Sequence, residues 1–170
     1  MADSFAQLDP EPPSVTTGLW VRRAVLVLLG LVVIAGLLNR FGQHPAESQA
    51  RVAAATLRLS APAVVRGGLF FQSRLEVRAR REIAFPRIVL DDGWLEGMQV
   101  NSIEPAPASE SSRDGRVVLS YDKLAAGDRL RVWLQFEVDP TSAGHRPYGV
   151  ELDDAGTRVV RLSPSLRVLP

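Results

Sequence analysis

Between Ala24 and Leu38 the chain reads AVLVLLGLVVIAGLL, without one charged or hydrogen-bonding side chain. Adding Leu19, Trp20 and Val21 extends the apolar stretch to 20 positions, interrupted only by Arg22 and Arg23. At about 1.5 Å per residue a helix of this length spans about 30 Å, the thickness of a bilayer's hydrocarbon core. The two arginines sit near its end, where long stems can carry the charge back to the headgroups. Trp20 suits one membrane interface, and Asn39, Arg40 and Phe41 suit the other. Stretches apolar on every side also occur as buried core helices, but a chain this small has little with which to surround one. A cleaved signal peptide is the other alternative, with Ser48-Gln49-Ala50 as its cleavage site. The favoured expectation is an uncleaved transmembrane signal anchor over residues 19–41. Arg22 and Arg23 at its N-terminal end favour a cytoplasmic N-terminus and an exported C-terminal domain.

Before this segment, residues 1–18 carry Pro10, Pro12 and Pro13 among small polar residues, the composition of a disordered cytoplasmic tail. After it, residues 42–54 (GQHPAESQARVAA) read as a juxtamembrane linker. From residue 55 the hydrophobic period becomes two. In Asp128–Asp139, Leu130, Val132, Leu134, Phe136 and Val138 share one face while Arg129, Arg131, Trp133, Gln135 and Glu137 share the other. In Leu69–Arg80, Phe71, Ser73, Leu75, Val77 and Ala79 alternate with Gln72, Arg74, Glu76, Arg78 and Arg80. Shorter strands are expected at Ala55–Ser60, Pro86–Leu90, Met98–Ile103, Arg116–Tyr121, Tyr148–Leu152, Thr157–Leu162 and Leu166–Leu169. Asp-Gly and Gly-Gly punctuation separates several of them, Asp153–Gly156 closing a hairpin, and Glu104–Gly115 reads as a long exposed loop. One polar and one apolar face per strand predicts an all-β domain over 55–170. Two packed antiparallel sheets or a small barrel would both satisfy the pattern.

Composition narrows the chemistry. The 170 residues include no cysteine, which excludes disulfides, thiol catalysis and Cys-ligated zinc. A net charge of +1 does not suit a nucleic-acid binder, so no nucleic-acid partner is expected. His44 and His145 are the only histidines, no Gly-x-Ser-x-Gly elbow or phosphate-loop motif occurs, and no catalytic residue, metal ligand or cofactor is assigned. Asp91-Asp92 and Asp153-Asp154 lack the spacing of a calcium loop and read as turn acids.

Two surface features remain. Arg74, Arg78 and Arg80 share the polar side of one strand and could meet an anionic partner, or be a solvated face balanced by acids. Trp133, flanked by Arg131 and Gln135, lies on the polar side of its strand, where a large ring is out of place. It is either a stacking or docking residue or is covered by a loop such as Glu104–Gly115. With Trp94 and Arg131 these residues form the candidate partner or ligand surface.

Tyr121–Pro140 (YDKLAAGDRLRVWLQFEVDP) resembles the penultimate-strand region of bacterial Ig-like, fibronectin-like stalk domains over about 20 residues. More loosely, the whole layout resembles single-pass membrane proteins of high-GC bacteria, with 19 arginines against a single lysine. The resemblance implies an antiparallel Ig-like β-sandwich preceded by one N-terminal transmembrane helix in the bacterial inner membrane. It further implies a non-catalytic, structural or accessory role beside another membrane or envelope protein. A glycan-binding module is the alternative, and an enzyme is disfavoured.

Overall fold

The computed structural model describes residues 15–38 and 45–170, and the chain divides into two units, residues 1–42 and 43–170.

In the first unit a single helix, α1, runs from Val15 to Leu37. Its segment Gly18–Leu37 is long and apolar enough to cross a membrane. The leucine, valine and isoleucine side chains of this segment are exposed around the whole circumference, the inverse of a helix folded for water. Arg23 lies over the Trp20 ring, 5.7 Å from its centroid. The helix starts before the expected boundary at residue 19, two residues past Pro13, the last of the leader prolines that no helix interior would accept. Residues 1–14 of the expected tail, and Asn39, Arg40 and Phe41 of the expected interface, lie outside the described residues.

The second unit is an antiparallel β-sandwich. Its strands are β1 (Pro45–Arg51), β2 (Ala55–Pro62), β3 (Val64–Arg66), β4 (Phe70–Ala79), β5 (Pro86–Leu90), β6 (Met98–Glu104) and β7 (Ser109–Arg113). They continue with β8 (Arg116–Ser120), β9 (Arg129–Val138), β10 (Gly144–Pro147), β11 (Val150–Asp154), β12 (Thr157–Leu162) and β13 (Ser165–Leu169). One five-stranded sheet has the order β1-β2-β4-β9-β6, the other β12-β11-β5-β8-β7, and a small third sheet joins β10, β13 and β3, the last two in parallel. Neither five-stranded sheet closes on itself, so the barrel alternative falls away. One core lies between the two: Leu57, Leu75, Val132, Leu134 and Phe136 from the first sheet meet Ile88, Leu90, Leu119, Val150 and Leu152 from the second. The alternation in β4 and β9 follows the expected faces residue by residue. The β11–β12 hairpin turns on Ala155 and Gly156, both at positive φ (52° and 92°), the conformation of a tight two-residue hairpin.

Three expectations are corrected. The linker 42–54 is largely strand: β1 pairs with β2 along its whole length, from Pro45↔Pro62 to Arg51↔Thr56. The loop 104–115 contains β7, paired with β8. Both are sheet-edge strands exposed along most of their length, and a strand bathed in water on both faces carries no alternation to reveal it. The third correction concerns Trp94. It is fully buried, in a 3-10 turn at Asp92–Trp94, and belongs to the core.

The indole of Trp94 stacks on Tyr148 (3.6 Å between centroids, 17° between planes) and packs against Phe136, and its Nε1 donates to the Gly149 carbonyl at 2.8 Å. The Tyr148 hydroxyl in turn pairs with Ser73 Oγ at 2.5 Å. That contact satisfies the one polar side chain on the buried face of β4.

Candidate functional site

The outer face of the first sheet is built by the polar half of each alternating strand, and strand register decides which side chains become neighbours. Arg74 on β4 faces Ser60 on β2 and Trp133 on β9; Trp133 faces Glu104 on β6. One step along, Glu76 faces Arg58 and Arg131, and the Arg131 Nε donates to the Glu76 carboxylate at 3.4 Å. A further step brings Arg78 opposite Thr56 and Arg129.

This register splits the expected arginine stripe. Arg74 joins Trp133; Arg78 and Arg80 lie beyond the Glu76–Arg131 pair, beside Arg51. Arg80 itself falls just past the end of β4. Trp133 is partly buried and sits opposite Glu104 in the β6–β9 pairing. It lines an open hollow of about 350 Å³ together with Pro45, Ser60, Pro62, Gln72 and Arg74. A second hollow, of about 360 Å³, is formed by Phe70, Phe71, Gln72 and Gln135 and shares Gln72 with the first. Phe70 is 63% exposed, a large apolar ring held at the surface on the same face. An aromatic ring at each end, two amides between them and an arginine alongside make a strip that can stack on flat apolar groups while hydrogen-bonding around them. Phe70, Gln72, Pro45 and Pro62 were not singled out by sequence reasoning, because their proximity to Trp133 depends on pairing.

The acids follow a different logic. Asp91, Glu151 and Asp153 are buried and face arginines from neighbouring strands of the second sheet. Arg161 pairs with Asp91 at 2.6 Å and with Glu151 at 3.2 Å; Arg116 bridges the same two carboxylates; Arg158 meets Glu151 at 2.8 Å. Burial pushes the Glu151 carboxyl up, but hydrogen bonds from Arg158, Asp153 and Arg116 outweigh it and hold the group at about 2. Asp153 is raised, first by burial and then by its hydrogen bond to Glu151 and that neighbour's charge. The two neighbouring carboxyls are thus pushed in opposite directions. Of the four acids expected to serve turns, only Asp92 bonds locally, accepting from the Gly93 amide; Asp154 accepts from the distant Phe85 amide, and Asp91 and Asp153 are buried instead. Among the described residues no group of three or more His, Cys, Asp or Glu side chains is placed to hold a metal ion.

Neither a protein-family model nor a curated relative matches the sequence. Among solved structures the chain is similar to a non-cellulosomal cohesin from the hyperthermophilic archaeon Archaeoglobus fulgidus, with 12% identity over 65% of this chain and 88% of that one and a TM-score of 0.41. It is also similar to the CARDB domain of a Pyrococcus furiosus protein solved in complex with di-metal ions (13% identity, 70% and 97% coverage, TM-score 0.40). A third likeness is to the C-terminal domain of wzt (13% identity, 76% and 81% coverage, TM-score 0.43). These likenesses bring no residue role to this chain.

Proposed function

We propose that this protein is a non-catalytic, single-pass membrane protein whose exported β-sandwich docks another membrane or envelope protein. In this reading α1 holds the chain in the bilayer of a bacterial inner membrane, N-terminus in the cytoplasm, and the β unit is an immunoglobulin-like accessory module outside it. The observation that carries the reading is the strip on the first sheet's outer face. Trp133, Phe70, Gln72, Gln135 and Arg74 have the composition of an interface centre, where aromatic rings and arginine dominate binding energy. The hollows are open and shallow, suited to a protein surface rather than to enclosing a small substrate.

Co-purification of the intact protein in mild detergent tests this. A partner retained by the wild-type chain and lost from Trp133→Ala supports docking through the strip; a lone monomer, or retention indifferent to Trp133, contradicts it. A second reading has a specific observation in its favour, since a ring beside amides and an arginine also suits a sugar. Retention of the protein on purified envelope glycan, abolished by Trp133→Ala, would select the glycan-binding module instead.

A further inference from the structure

One end of the same outer face carries arginines that make no ion pair among the described residues. Read across the sheet, Arg51 on β1 faces Thr56 on β2, Thr56 faces Arg78 on β4, and Arg78 faces Arg129 on β9. Directly opposed side chains on antiparallel strands hold their Cβ atoms about 5 Å apart, and like charges so placed destabilise the pair. Glu76, the acid nearest along β4, is engaged with Arg131. Among the described residues none of Arg51, Arg78, Arg80 or Arg129 takes part in an ion pair. The contrast with the second sheet is sharp, because there three arginines converge on Asp91 and Glu151. Two adjoining hollows, of about 380 and 120 Å³, share Arg51, Thr56 and Arg78; Ala79, Arg80 and Gly127 complete the larger, Arg58, Glu76 and Arg129 the smaller.

We infer that this arginine row binds a phosphoryl group. A guanidinium presents a planar fork of donors that matches two phosphate oxygens at once, and the bond is strengthened by charge on both sides. Arg51, Arg78 and Arg129 bring three such forks to the hollows from β1, β4 and β9, with Thr56 of β2 between them as a hydroxyl donor. A terminal phosphoryl group offers three oxygens in different directions, whereas a carboxylate offers two in one plane. A bound anion would offset the repulsion between the facing Arg78 and Arg129. The site lies beyond the Glu76–Arg131 pair from Trp133 and does not rest on the docking reading. The phosphoryl group could belong to a lipid headgroup or to a soluble or polymer-borne phosphate.

The full chain in zwitterionic nanodiscs is titrated calorimetrically with inorganic pyrophosphate, beside Arg78→Gln, Arg129→Gln and Arg113→Gln, the last an exposed arginine on the other sheet. The expected result is saturable binding, weakened about tenfold or more by either row substitution and unchanged by Arg113→Gln, with malonate binding far more weakly. Because each row substitution relieves repulsion, both variants should melt no lower than wild type, which separates lost binding from lost folding. No saturable binding, equal weakening by Arg113→Gln, or malonate binding as tight as pyrophosphate would overturn the inference. Nanodiscs with added phosphatidic acid, whose headgroup is a terminal phosphate, then identify the source: a lowered apparent affinity for pyrophosphate marks the headgroup as the occupant, and an unchanged one marks a phosphate outside the membrane.

Discussion

Trp94 and Trp133 show how one residue type takes opposite roles in this chain. Trp94 follows an Asp-Asp-Gly turn and looked like a surface ring, yet it is the centre of the aromatic core, stacked on Tyr148. Trp94→Ala should lower stability by about 3–5 kcal/mol in denaturant titration, whereas Trp133→Ala, on a partly exposed site, should cost about 1 kcal/mol or less. Equal costs would contradict a buried Trp94 and a part-exposed Trp133. The buried acid pair makes a prediction of opposite signs on one strand. Glu151 is held at about 2, below its ordinary value of 4.5, so its contribution to stability is present above pH 4.5 and is lost as pH falls towards 2. Asp153 is raised, so the folded protein holds a proton that the unfolded chain has released. Stability therefore falls as pH rises from the ordinary aspartate value of 3.8 through the raised one. Asp153→Asn keeps a donor towards Glu151 without the charge. It should match or exceed wild-type stability at pH 7 and remove the downward step that begins at the ordinary aspartate value of 3.8. A variant less stable than wild type at pH 7 would contradict the upward push on Asp153.

At the scale of strands and turns, what could be read in advance follows burial. Strands β4 and β9 lie inside their sheet, one face in the core and one in water, so their alternation is complete and their side-chain faces were legible to the residue. The Ala155-Gly156 hairpin was legible from its turn residues. Strands β1 and β7 were not, because an edge strand in water is specified by its neighbour's unpaired backbone rather than by its own side chains. The candidate site was half legible for the same reason. That Trp133 is unusual could be seen in one strand; that Phe70, Gln72 and Pro62 surround it, or that Arg78 faces Arg129, is a property of register. The recovered strand makes a test of its own. A fragment starting at residue 43 should unfold at higher denaturant than one starting at residue 55, because only the first keeps β1 against β2. Identical midpoints would return residues 45–51 to the status of a linker.

For the molecule as a whole, the leucines, valines and isoleucines of Gly18–Leu37 are exposed while those of the sandwich close a core, and the proposed anchor predicts different behaviour for the two units. The full chain should sediment with membranes and stay there through alkaline carbonate washing, and a fragment from residue 43 should be soluble. Full-length protein in the soluble fraction would contradict the anchor. The docking claim has a more direct test, helped by the chain's lack of cysteine. Gln72→Cys places the protein's only thiol beside the Trp133 hollow, and Arg113→Cys places it on the other sheet. Cross-linking in intact membranes should give one discrete heavier species from Gln72→Cys and none from Arg113→Cys. No adduct from Gln72→Cys, or the same adducts from both positions, would contradict a docking face on the first sheet.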